Sequence, residues 1–413
     1  MKSVFTLPPA RVSVALGAAA ALVSTALGAC ASDEREMFDP PPPNVPAVPS
    51  PPDPDAGADA DADAGQACTS DDCELFPSSC TPDVLCPTNG PFDPRDPTRG
   101  LPLVTTPRVL VGRSPSDVWL GGTLGAYARF DGSSWTTVDP GSPMTPRVFW
   151  LTPSGEVAVG DHGTLLVRGS SFVTTSEPST GGFASAAPVN KPNGLHTILR
   201  GGFAPPGSTT LWLATYTPAA LTPASGALVR LVEMPDGTIE LRPGIDAAQC
   251  VQGCERVLSI HGSSEKTLFA VGERGAAVRI DDADSDAPKL SPFNSGTTVG
   301  LWGVFAVSDD DVWAVGGAGT IRHYEGGSGL AWRPVGGVPT QVSLNAVWAA
   351  SSNDVWVAGD EGVVLHYDGA TWSRMKIAGL GTRRPPMTAI WGSPNGTVFV
   401  AGQGVVVSLG GKS

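Results

Sequence analysis

What this chain lacks narrows its function before anything it contains. Only 16% of its 413 residues are charged, and it has four tyrosines and five histidines. No cluster of lysine and arginine offers the dense positive surface that a phosphate backbone needs, which argues against nucleic acid as a partner. No Ser-His-Asp arrangement, glycine-rich phosphate loop or His-Glu-x-x-His pair can be read, so no catalytic residue, metal site or cofactor is marked out. Beyond the first thirty residues no second membrane span is visible. What is abundant is different: 51 glycines and 40 prolines suit many short strands joined by tight turns, so an all-β body is expected.

The formal charge of -14 is concentrated near the N-terminus. Residues 31–67 hold nine acidic side chains against one arginine, whereas residues 101–413 hold 25 acidic and 21 basic ones. The body is therefore nearly neutral. Residues 31–67 also contain nine prolines and almost no large apolar side chain, so they read as a disordered acidic tether. Within it Asp59, Asp61, Asp63 and Gly65 suggest a calcium loop, but glycine falls at position 7 rather than 6 and Ser70 stands where position 12 needs glutamate. A self-repelling spacer is the better reading.

Ahead of the tether, Lys2 and Arg11 precede an apolar stretch over residues 12–27, then Leu27-Gly28-Ala29-Cys30. This resembles a bacterial lipoprotein signal peptide over residues 1–29, which implies acylation at Cys30 and a palmitate-type anchor. An ordinary cleaved signal peptide and a retained signal anchor are the competing readings. Ala31 and Ser32 follow the cysteine, and the absence of Asp there resembles lipoproteins passed to the outer membrane, so a lipid-anchored envelope address is expected.

Six further cysteines, Cys68, Cys73, Cys80, Cys86, Cys250 and Cys254, are disulfide candidates in an exported chain. The first four fall in a proline-rich linker over residues 68–100, with their connectivity open; the last two are expected to staple one loop. Zinc is the competing reading, but no histidine lies near either cluster.

Beyond residue 100 the chain repeats itself. The segment DVWAVGGAGTIRHYEGG after Asp310 matches DVWVAGDEGVVLHYDGA after Asn353, and DVWLGGTLGAYARFDGS after Ser116. One marker position runs Trp119, Val157, Trp212, Phe269, Trp313, Trp356, Phe399, most often about 43 residues apart, the length of a four-stranded propeller blade. Seven markers predict a seven-bladed β-propeller over residues 101–413. Two long intervals predict loop insertions around residues 176–194 and 215–256. An aliphatic residue stands nine before most markers, and turns such as GERG and GDEG end in a glycine suited to the left-handed conformation. The last repeat lacks an outer strand, and Leu101–Thr106 is positioned to supply it and remove an open edge.

The pattern SxxDVWxVGxxGxxxHYDGxxW resembles uncharacterised repeat-propeller lipoproteins of myxobacteria and, more distantly, BNR/Asp-box propellers and Ycf48-like photosystem II assembly factors. The resemblance covers residues 101–413 and implies the fold. It departs from the Asp-box where Asp131-Gly132 and Asp368-Gly369 are adjacent, not spaced by one residue.

A sialidase on such a scaffold needs a tyrosine nucleophile and an arginine cluster. Of Tyr127, Tyr216, Tyr324 and Tyr367, the last two are repeat equivalents, as are His323 and His366, so structural roles are expected. His162 lies in a turn and His196 near an insertion. His261 falls eight before its marker, where other repeats place Phe149, Phe305, Trp348 and Trp391, and is a candidate channel-lining residue. Most of the eleven tryptophans sit at repeat positions and are expected to pack between blades. Trp150 and Trp302 fall outside the pattern and are the binding candidates. The expected function is a non-catalytic binding or scaffold module that contacts an envelope protein. A carbohydrate-binding or weakly glycan-active protein and an envelope assembly factor are the alternatives.

Overall fold

The computed structural model describes residues 71–413 except 89, 94–99, 191–197, 218–224, 251–252, 255, 328, 330, 394–395 and 412–413. Cys30, Cys68, His196 and the 31–67 tether lie outside the described residues. The described chain forms seven four-stranded antiparallel sheets, the seven blades of a β-propeller. Their innermost strands are Pro107–Ser114, Val148–Thr152, Ile198–Phe203, Val257–Gly262, Leu301–Ser308, Leu344–Ser351 and Met387–Gly392, here blades 1 to 7. Every marker residue falls on the second strand of its blade, from Trp119 in Asp117–Gly122 to Phe399 in Val398–Gly402.

Side-chain alternation on these strands sends one set of residues to the preceding blade and the other to the following one. Trp119 and Tyr127 of blade 1 thus meet Phe149, Leu151 and Phe183 of blade 2 in one buried cluster, and the core is a ring of such wedges. Trp119 and Phe183 sit edge to face with centroids 5.9 Å apart. The repeated Asp-Val-Trp has a local logic. Asp311 bonds His323 on the third strand at 2.7 Å, and that imidazole stacks on Trp313 at 3.8 Å. Asp354, His366 and Trp356 repeat the arrangement, and Asp117, Arg129 and Trp119 do so with a guanidinium. These histidines brace blades, as their repeat equivalence suggests.

The turns after the second strands hold Ala318 and Gly319, or Glu361 and Gly362, both at positive φ, a tight hairpin turn that favours glycine at its second place. The Asp-Gly turns are Asx turns: Asp131 accepts the backbone N–H groups of Ser133 and Ser134, each at 2.9 Å, and Asp368 accepts those of Ala370 and Thr371. Those bonds hold the Asp131 carboxyl down at about 2.

Two expectations are corrected. The last blade is closed by Leu85–Pro87, not by Leu101–Thr106: Leu85 pairs with Leu409, Cys86 with Ser408 and Pro87 with Val407. Leu101–Thr106 makes a turn, with Thr105 N–H donating to Pro102, and adds no strand to the last blade: Gly404 N–H donates to Thr105 at the tip of its last hairpin, Thr123 N–H donates to Thr106, and Leu101 packs between the first and last blades. Proline at 87 is tolerated because this is an edge strand, and the Cys80–Cys86 disulfide ties it to the segment before it. Cys73 is also disulfide-bonded. Among the described residues the length between 215 and 256 is mostly strand, not loop: Ser225–Glu233 and Ile239–Ile245 are the outer strands of blade 3. A helix, Ala247–Cys250, stapled by Cys250–Cys254, then leads into blade 4. Blade 2 does carry a long loop, over residues 169–183, and Val189 beyond it pairs in parallel with Glu240 on the edge of blade 3.

Candidate functional site

The innermost strands line a central channel, and their ladders share one irregularity. In blades 1, 3, 4, 5, 6 and 7 the pairing with the second strand skips one residue near the start: Arg108, Arg200, Leu258, Trp302, Asn345 and Thr388. A bulge leaves its extra residue unpaired and turns that side chain out of the sheet. In blade 2, Arg147 stands directly before the strand and takes the same place. All seven line one mouth of the channel, around a cavity of about 340 Å³.

This mouth is chemically lopsided. Arg108, Arg147 and Arg200 come from three consecutive blades, and no carboxylate lines the cavity with them. Arg108 and Arg200 are exposed, and the Arg200 guanidinium lies 5.0 Å over the Tyr216 ring. Arg147 is held by Asp161 at 3.2 Å. Across the mouth Asn345 donates to Asp360 and to the Met387 carbonyl, and Thr388 donates to the Pro107 carbonyl at 2.8 Å, so those polar groups serve the frame. Trp302 is 38% exposed, the only large aromatic so exposed among the described residues.

Further in, Leu110, Ile260, Val304, Val347 and Ile390 form an aliphatic neck, the column nine before the markers. Beyond it the channel opens to a second cavity of about 570 Å³ toward the other face. Here Phe203, His261, Phe305, Trp348 and Trp391 each pair directly across from their blade's marker. His261 lies between Phe203 and Phe305, with centroids 4.3 and 4.1 Å away, and its Nδ1 accepts the Ala306 N–H at 3.1 Å. Burial among these groups pushes its pKa down to about 3, so the ring is neutral at physiological pH.

Trp150 is corrected as a binding candidate. It is fully buried, and its indole N–H donates to the Ser208 carbonyl at 2.9 Å. It pairs with the marker Val157, so it occupies the position of Trp348 and Trp391, and Phe149 is displaced from that position by one. The short turn from Thr152 to Gly155 removes the residue that shifted the count. Trp302 keeps an exposed place. The three arginines were missed as a group, although they fall ten to twelve residues before their markers. That column varies in chemistry from blade to blade, and sequence alternation gives no sign that a bulge turns it into the channel.

The grouping of Ser352, Asp311 and His323 is not a catalytic triad. Ser352 donates to Asp311, which also holds His323, but the carboxylate lies between hydroxyl and imidazole, so the histidine cannot take the serine proton. Tyr127 is buried, and its phenol finds no partner. Among the described residues no group of three metal-ligating side chains occurs.

No protein-family model matches this chain, and no curated protein matches it. Solved structures do. YCF48 bound to D1 peptide is 16% identical with a TM-score of 0.54, covering 80% of this chain and 98% of that one. YCF48 from Cyanidioschyzon merolae is 16% identical with a TM-score of 0.56, covering 75% and 96%. The WD40 repeats of RRP9 are 9% identical with a TM-score of 0.51, covering 74% and 94%. At these identities the likeness is one of fold, the seven-bladed propeller.

Proposed function

We propose that this chain is a lipid-anchored envelope protein of the myxobacterial repeat-propeller type that binds a protein partner at the basic mouth of its channel. The observation that carries the reading is the ring of bulged residues, which sets Arg108, Arg147 and Arg200 on one side of the mouth and exposed Trp302 on the other, with no lining carboxylate. An extended acidic segment bearing an apolar side chain fits that chemistry. That a YCF48 structure contains a D1 peptide supports a peptide-like ligand, by analogy of fold alone. The anchor rests on Cys30 and the apolar run before it.

Crosslinking pull-down with the full-length protein in its own membranes tests the reading. Arg108→Glu with Arg200→Glu should remove the crosslinked partner while the fold is kept; capture that survives the double reversal sinks it. Palmitate labelling tests the anchor separately, and labelling of Cys30→Ala equal to the parent rules it out. A glycan ligand is the competing outcome, read as glycan-array signal lost in Trp302→Ala.

A further inference from the structure

The aromatic end of the channel has the properties of a second, separate site. Its cavity of about 570 Å³ lies within the range of small-molecule sites. Phe203, His261, Phe305 and Trp348 follow one another around the wall, with centroids 4.3, 4.1 and 6.3 Å apart. The wall is fixed by close approach to the next blade. A Cβ at Gly392 would lie 2.6 Å from the Trp348 ring, and one at Gly112 would lie 2.7 Å from the Trp391 ring. Such rings cannot turn aside to fill the space themselves, so the cavity is preorganised.

His261 is the one polar ring in this wall, and Ser114, Ser259 and Ser393 line the cavity around it. Because Nδ1 of His261 accepts the Ala306 N–H, the neutral ring must carry its proton on Nε2. That N–H makes no hydrogen bond to any described residue, and the ring lines the cavity. The nearby charges are already committed: Arg113 at the rim is held by Asp117 at 2.7 Å and Glu156 at 2.8 Å, and Arg147 by Asp161. A charged ligand would therefore lose its hydration with no counter-charge to replace it.

We infer that the aromatic end of the channel binds a small neutral molecule, aromatic or otherwise apolar, through one hydrogen-bond acceptor that takes the Nε2–H of His261. The site lies past the aliphatic neck from the arginine mouth and does not depend on the partner proposed there. Stacked rings supply affinity for any apolar body of the right size, and the Nε2–H of His261 within them selects those with an acceptor.

The test uses the full-length protein and two probes of similar shape, acetophenone and ethylbenzene, titrated by ligand-observed NMR. Acetophenone should bind about five- to tenfold more tightly, the gain of one hydrogen bond. His261→Phe copies the residue that blade 5 uses at this place, Phe305, and should bring the two affinities together. In the parent protein the His261 Nε2–H resonance should shift with acetophenone and stay fixed with ethylbenzene, a readout that needs no variant. The inference is overturned if neither probe saturates by about 10 mM, if the preference persists in His261→Phe, or if the imidazole signal ignores acetophenone. Arg108→Glu with Arg200→Glu should leave both probe affinities unchanged.

Discussion

At the scale of single residues, burial separates side chains that the sequence placed together. His261 carries a pH dependence whose sign follows from its surroundings. Its folded pKa is depressed to about 3 from an ordinary 6.5, so on acidification the unfolded chain takes up the proton first. The stability contributed by the neutral ring is complete above pH 6.5 and is lost as pH falls toward 3, about 2 kcal/mol of it by pH 5. Urea denaturation at pH 7 and pH 5 should show that loss in the parent and a smaller one in His261→Phe; equal losses would refute the assignment. The buried phenol of Tyr127 has no partner, and burial drives its pKa upward. Tyr127→Phe should therefore raise stability, by about 1 kcal/mol, because an unsatisfied polar atom is removed without leaving a cavity. The two tryptophans that the sequence paired should part in a thermal melt: Trp150→Ala should cost about 3–5 kcal/mol, and Trp302→Ala less than about 0.5 kcal/mol.

At the scale of strands and turns, most of the blade was legible because its signals are local. Marker tryptophans, the aliphatic column and the turn glycines repeat within about 45 residues, and each found its expected strand or turn. Pairing was not legible. A bulge adds a residue without disturbing alternation elsewhere, so Arg108 and Arg200 gave no sign that they enter the channel. The tight turn after Thr152 removes a residue, which made Trp150 look exceptional. The closing strand was missed because Leu85-Cys86-Pro87 is three residues long, contains proline and pairs with residues more than 300 positions away. Leu85 is fully buried in that strand, so Leu85→Ala should cost about 3 kcal/mol. A chain that begins at residue 89 should leave the Val405–Leu409 edge open and self-associate, as seen by light scattering. If that chain stays monomeric and melts like the parent, the closure described above is wrong.

At the scale of the whole ring, basic charge gathers at one opening of the channel. Arg108, Arg147 and Arg200 line that mouth with no carboxylate among them, while Asp161, Glu273, Asp360 and Glu361 stand in hairpin turns around the same face and Asp131, Asp236, Asp284, Asp310 and Asp368 in turns of the opposite one. An acidic partner should therefore approach the mouth itself and not the rim. Arg108→Glu with Arg200→Glu should weaken its binding at least tenfold and flatten the salt dependence, whereas Asp310→Lys on the other face should change neither. Equal effects from both variants would move the contact elsewhere. The overall charge of -14 concealed this arginine cluster, because the acidic tether dominates the sum. The pairing of Leu85 with Leu409 also orders events in time. Leu85–Pro87 is made more than 300 residues before its partner strand Val405–Leu409. Six blades can assemble before that partner exists, but the seventh must wait for it, so a nascent chain stalled before residue 405 should present an open seam to chaperones and proteases.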